Sequence, residues 1–228
     1  MTSLAQQIAK DSPLEERLRA LDLVRPDERF TGFSERFGWR RGGDESYIAA
    51  ADIEVVSDNT TIRPVLMKAI VGFGTTKEKV EAMLERRELL ESVGVKTSDL
   101  YACEDSVFYE RFLPETVDPV AYVRNDDPRL SDLITYASAL DVLGFAPVAR
   151  DERFFRDLLA DDDGAYVIDF GSDLGTPNPH HPSHHGRDAL ERIARRATID
   201  HSQRKALDSA YDASADAIRS IIAQYDQC

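Results

Sequence analysis

Cysteine is scarce in this 228-residue chain: Cys103 and Cys228 are the only two. So few thiols exclude a disulfide framework as the source of stability. Long apolar runs are missing too, and none approaches the roughly 18 residues that cross a bilayer. The opening MTSLAQQIAKDSPLEERL has neither the basic start nor the apolar core of a secretory leader. A cytoplasmic chain with no membrane partner is therefore expected. Positive charge is also short. Forty-two acids face 28 bases for a net charge of −14, and only six of the bases are lysines. A surface of that sign repels phosphate backbones, so no nucleic-acid partner is expected. The densest basic stretch, Arg187, Arg192, Arg195 and Arg196, is interrupted by Asp188 and Glu191 and reads as a solvated helix face. There is no internal repeat and no low-complexity tract. What is present, 42% hydrophobic residues, suffices for one large domain or two small lobes.

Local signals then divide the chain. Ser12, Pro13 and Glu15 have capping-box spacing, and Leu14, Leu18 and Leu21 share a face, so a short helix is expected over 12–22. Strands follow at Ser34–Trp39, Tyr47–Val56 and 62–71, separated by an Arg40-Arg41-Gly42-Gly43-Asp44 turn and a polar turn over 57–60. Pro64 fits best at a strand start or on an edge. Thr75 and Glu78 open a helix that runs to about Ser92 and stops at Gly94. Two strand-like pieces lie around Leu100–Cys103 and Val107–Glu110. Asp127-Pro128 starts a helix ending at Gly144. A loop then leads to a hairpin with Asp161-Asp162-Asp163-Gly164 as its turn, and two helices close the chain. Cys103 reads as a small buried apolar residue and Trp39 as a packing residue.

Two stretches carry chemistry. Lys68 lies in the third strand on the side of Leu66 and Ile70. An ammonium on a half-buried face needs a partner or a ligand, because its desolvation is costly. The following helix offers Glu81, Glu85, Glu88 and Glu91. The plain alternative is an exposed edge-strand lysine beside a solvated acidic helix face. The second stretch is AYVIDFG over 165–171, where a short apolar strand runs straight into an aspartate, an aromatic and a glycine.

In their order and spacing these parts resemble the protein-kinase-like superfamily, which includes protein kinases and small-molecule kinases such as aminoglycoside phosphotransferases. Val65-Leu66-Met67-Lys68 looks like the third-strand lysine motif. Residues 85–114 are similar to that family's helix C, two strands and interlobe hinge, and Asp169-Phe170-Gly171 to its metal-binding DFG. The resemblance covers roughly 30–175 and implies a set of roles in phosphoryl transfer, where positioning and charge neutralisation dominate. Lys68 would hold the α- and β-phosphates of ATP, fixed by an ion pair to Glu85 or, one turn on, Glu88. Asp169 would ligate Mg²⁺. The backbone of Glu110, Arg111 and Phe112 would meet the adenine.

The catalytic loop departs from the family pattern. Asp151 follows Arg150 and lies 18 residues before Asp169, which suits the aspartate that orients the acceptor hydroxyl. Five residues later, however, stands Arg156 rather than a metal-ligating asparagine. Asp157 can take that role, with Asp151 as the catalytic acid; strict spacing from Asp157 makes Glu152 the alternative. The glycine-rich loop is equally irregular, since Asp44 and Glu45 adjoin Gly42 and Gly43. His180, His181, His184 and His185 crowd a loop after the DFG-like turn, but no cysteine stands near to complete a zinc site. Asp161–Gly164 lacks the ligand spacing of an EF-hand.

The expected fold is α+β and two-lobed. A helical extension (1–29) precedes an N-lobe (30–111) with a five-stranded antiparallel sheet and one helix, then a short, mainly helical C-lobe (112–228). The resemblance implies a Mg·ATP-dependent kinase acting on a hydroxyl of a small molecule or protein. The alternative is a pseudokinase, a nucleotide- or partner-binding scaffold without turnover. About 55 residues follow the DFG-like motif, fewer than typical eukaryotic protein kinases carry.

Overall fold

The computed structural model describes residues 14–33, 40–41, 46–55, 58–70, 76–104, 106–113, 115–147, 152–171 and 174–225; within strands, side chains are described at 28–30, 65–68 and from residue 100 onward. The chain is α+β and divides into two units, one formed by Met1–Val80 with Ser98–Phe112, the other by Glu81–Thr97 with Leu113–Cys228.

In the first unit, helix α1 (Leu14–Ala20) precedes strands β1 (Glu28–Phe33), β2 (Arg40–Arg41), β3 (Ser46–Val55) and β4 (Asp58–Ile70). After helix α2 (Thr76–Ser92) come β5 (Leu100–Glu104) and β6 (Val107–Arg111). These strands make one antiparallel sheet in the order β1-β3-β4-β6-β5, with β2 paired to β3. Alternation puts Val65 and Met67 of β4 and Val107 and Tyr109 of β6 on one face. There they form a core with Leu18, Leu23 and Val24 from and after α1. The expected helix thus forms, though its Ser12-Pro13 cap lies outside the described residues. So do the expected strand at 34–39 with Trp39, the Gly42–Glu45 loop, and Cys228.

Two strand expectations shift. β4 begins at Asp58, so part of the polar turn over 57–60 is strand. Pro64 lies inside β4 opposite Asp52, one residue before the ladder to β6 starts at Val65. On that side β4 is still an edge, where a missing N–H is tolerated. Cys103 is exposed, correcting the buried placement: among the described residues β5 is the edge of the sheet, with no further strand paired to it.

The second unit takes up α2 from Glu81 onward, a helix that the sequence groups with the first lobe. Then come β7 (Glu115–Thr116), α3 (Pro119–Asn125), α4 (Leu130–Val142), a 3₁₀ turn (Glu152–Phe155), β8 (Leu158–Asp161), β9 (Gly164–Val167), α5 (His185–Ala197) and α6 (His201–Tyr225). The sequence reading passed over α3, whose start is nonetheless marked: Asp118 accepts the Ala121 N–H at 3.0 Å and Pro119 opens the helix. β7 was also passed over; it adds a short antiparallel edge to the β8–β9 hairpin.

α4 is buried nearly all round, as befits a helix central to a bundle. Its Asp141 is buried, and its carboxylate accepts four hydrogen bonds. They come from Ser183 Oγ (2.6 Å), the Gly186 N–H (3.0 Å), the Arg187 N–H (2.9 Å) and Tyr211 Oη (2.6 Å). Asp141 thereby caps α5 from a neighbouring helix, since His184 at the N-cap position makes no side-chain cap bond. The close approach needs glycine. A Cβ at Gly186 would lie 2.2 Å from the Ala137 carbonyl oxygen. Gly186→Ala should therefore lose about 3 kcal/mol by overpacking, a fall of roughly 6–12 °C in Tm for a chain of this size. A thermal melt within about 2 °C of wild type would contradict this packing.

Candidate acid pair at the base of the β8–β9 hairpin

β8 and β9 pair from Leu158↔Val167 to Asp161↔Gly164. At the open end the Ile168 N–H donates to the Asp157 carbonyl at 2.9 Å. Asp157 therefore lies opposite Ile168, with Asp169 the next residue on that strand. At the closed end Asp161 Oδ1 accepts the N–H groups of Asp163 (2.9 Å) and Gly164 (3.2 Å), an Asx turn and no cation loop. Lys96 Nζ reaches the Asp132 carboxylate (3.1 Å) and the Asp163 carbonyl (3.2 Å), and Asp132 also accepts the Ala165 N–H (3.0 Å). Arg129 adds a bond to the Asp161 carbonyl (3.1 Å) while paired with Asp127 and stacked 4.7 Å from the Tyr122 ring centre. The hairpin that presents the two acids is thus pinned along its length.

Helix α2 holds the turn after β9. Phe170 is buried, with the Arg87 guanidinium 5.7 Å from its ring centre. Arg86 donates to the carbonyls of Phe170 (2.9 Å) and Gly175 (3.1 Å). Asp169 Oδ1 accepts the Gly171 N–H at 3.1 Å, which orients the carboxyl by its own turn. These contacts explain why residues 81–97 group with the second unit. Asp157 is mostly buried, its side chain 13% exposed, and Arg156 Nε lies 3.3 Å from its Oδ1.

A third group, the Tyr136 phenol, feels the charge of both acids. The Tyr136 ring on α4 is buried against Phe154 (5.7 Å between ring centres) and Phe155 (6.4 Å), which themselves pack edge to face. Burial first, then the charges of Asp157 and Asp169, push its phenol well above the ordinary value, against a smaller opposing effect of Arg156. The hydroxyl is a neutral donor throughout the working pH range. Sequence reasoning missed Tyr136, which sits on α4 among the apolar Leu133, Ala137 and Leu140 with no local sign of its neighbours. It also missed Arg86 and Arg87, although two adjacent arginines in so acidic a helix were a visible signal.

The other expected residues fall as follows. In the first unit Lys68 is buried in a central strand, opposite Ile48 of β3 and Phe108 of β6, so it is no edge lysine. Glu110, opposite Leu66, is also buried and shares the Lys68 face as a diagonal neighbour, roughly 7–8 Å away by sheet geometry. Glu110 and Arg111 lie inside the ladder, and the Arg111 N–H donates to the Asp99 carbonyl at 2.9 Å. Phe112 follows the last strand residue, and the chain enters the second unit at Leu113. Glu85 and Glu88 are exposed on α2. Asp151 lies outside the described residues, and Glu152 opens the 3₁₀ turn. His180, His181 and His184 are exposed and His185 is half-buried. Among the described residues no group of three or more acids, histidines or cysteines is placed to hold a metal ion, and no helix is long and apolar enough to cross a membrane.

No protein-family model matches the chain, and no curated protein matches its sequence.

The buried phenols give a test of this geometry. Tyr211 is pushed up like Tyr136, by burial and then by its hydrogen bond to the Asp141 carboxylate. A phenol raised in the folded state stabilises fully below its unfolded value near 10 and loses that stabilisation as pH climbs beyond it. Absorbance titration should therefore show Tyr136 and Tyr211, of eight tyrosines, ionising only as the chain unfolds. Tm should fall as pH passes about 10, and Tyr211→Phe should flatten that fall. Eight tyrosines titrating normally in a chain that stays folded would overturn the assignment.

Proposed function

We propose that the chain is a Mg·ATP-dependent phosphotransferase that acts on a hydroxyl acceptor, built as a two-lobed protein-kinase-like fold. One observation carries this proposal: at the hairpin base Asp157 lies opposite Ile168, the residue before Asp169, and the turn after Asp169 is anchored to α2 through Arg86 and Arg87. Mg²⁺ is typically held by one or two carboxylates together with phosphate oxygens and retained waters. A donor set of two carboxylates with a hydroxyl near by fits that preference. When bound, the ion would offset negative charge on the phosphates.

The chain's own residues would do the rest. Asp157 and Asp169 would fix the ion's place, each oriented by a backbone contact at the hairpin base or turn. In the first unit, Lys68 is a buried cation in a central strand, suited to the α- and β-phosphates. The backbone at Glu110–Phe112, chiefly Phe112 beyond the ladder, would meet the adenine. Asp151, or Glu152 in the other register, would take the acceptor hydroxyl's proton. Positioning and charge neutralisation supply most of the rate in such transfers.

A specific contact favours the second reading, a nucleotide-binding scaffold without turnover. Arg156 stands where the family has a metal-ligating asparagine and pairs with Asp157, so a cation must compete with a guanidinium there.

Thermal melts with and without Mg·ATP, on wild type and Asp169→Asn, test the proposal. Ligand at 100 times its Kd adds about 2.7 kcal/mol, or roughly 5–10 °C in a chain of this size. The shift should need the metal and vanish in Asp169→Asn. No shift at saturating Mg·ATP would overturn both readings as nucleotide binders. A shift without any phosphate transfer to hydroxyl acceptors would leave the scaffold.

A further inference from the structure

Among the described residues the buried Tyr136 hydroxyl finds no hydrogen-bond partner. That is a cost with no return in the structure as it stands, because a buried donor gives up water and receives nothing for it. A phenylalanine would pack the same ring against Phe154 and Phe155 without it. Both rings that pack on Tyr136 are already phenylalanines, and elsewhere Phe170 and Phe145 are buried as plain rings too. The hydroxyl is thus the one polar element among these three rings, and the negative charges that act on it belong to Asp157 and Asp169, against a smaller effect of Arg156.

The geometry leaves it little freedom. Tyr136 sits mid-way along α4, buried on every side, and its ring is fixed by two neighbours at 5.7 and 6.4 Å. Those neighbours stand immediately before Arg156 and Asp157 in the chain. A movement of Asp157 on ligand binding would therefore take place against a ring that cannot follow it. A fixed donor that feels the charge of two carboxylates, next to the Phe154-Phe155 pair that leads into Asp157, is useful when their oxygens turn toward a cation, since their outer lone pairs then need a partner. Such outer partners orient ligands and hold them in place.

We propose that Tyr136 is a positioning residue for the acid pair: its hydroxyl donates a hydrogen bond to an oxygen of the shell formed when a divalent cation binds Asp157 and Asp169, a carboxylate oxygen or a bound water. The proposal rests on the phosphotransferase reading of these two acids and adds to it a residue outside the hairpin. It also accounts for the unbonded hydroxyl, whose partner arrives with the ion.

Tyr136→Phe keeps the ring and removes only the donor. The probe is Mn²⁺, titrated into the full chain with a non-hydrolysable ATP analogue present and followed by the resonance signal of the free ion. Thermal melts in EDTA run alongside. Tyr136→Phe should weaken Mn²⁺ binding about 10-fold or more while its melting temperature in EDTA stays level or rises. Unchanged Mn²⁺ affinity overturns the proposal. Weaker binding together with a lower melting temperature in EDTA also overturns it, because the hydroxyl would then serve the ion-free fold. Wild-type chain that binds no Mn²⁺ in a manner lost in Asp169→Asn overturns the phosphotransferase reading itself, an outcome distinct from the other two.

Discussion

A carboxylate shut away from water must collect its hydrogen bonds from the protein, and Asp141 collects four. Two come from the first turn of α5, one from Ser183 in the segment leading to it, and one from Tyr211 on α6. Removing charge or donors from such a centre leaves buried groups unpaired, a cost that exceeds the worth of any single bond. The packing of α5 and α6 on α4 is thereby tied to a single side chain. Gly186, with no room for a Cβ, sets how closely α5 can approach.

Helix α4 acts as the spine of the second unit through a few polar residues spaced along its length. Asp132 near its start holds the tip of the β8–β9 hairpin through Lys96 and the Ala165 N–H. Tyr136 packs on Phe154 and Phe155, which lead into Asp157. Ser138 meets Ser214 of α6 at 2.7 Å, and Asp141 closes the far end. One rigid element thus fixes the hairpin that carries Asp157 and Asp169 and the helices behind it.

The sheet of the first unit shows a related economy. One face of β4 and β6 is apolar and packs under α1, while the other carries the buried charges Lys68 and Glu110. Burying both in central strands is expensive unless each finds compensation.

Much of this was legible in the chain. Alternation and turn residues gave β3, β5, β6 and the β8–β9 hairpin; capping residues and glycine stops gave α2 and α4, and the acids of the hairpin base stood out because an apolar strand ran directly into Asp169. Local chemistry decides those features, since a cap, a turn or a period of two needs only near neighbours. What lay beyond reach depends on partners far along the chain. The burial of Lys68 needed β6, forty residues on; the exposure of Cys103 needed β5 to be the last strand; the cap of α5 came from Asp141 on another helix. Tyr136 is the clearest case. By sequence it is one more aromatic on a buried helix, and only the packing of Phe154 and Phe155 on α4 sets its phenol where the charges of Asp157 and Asp169 reach it.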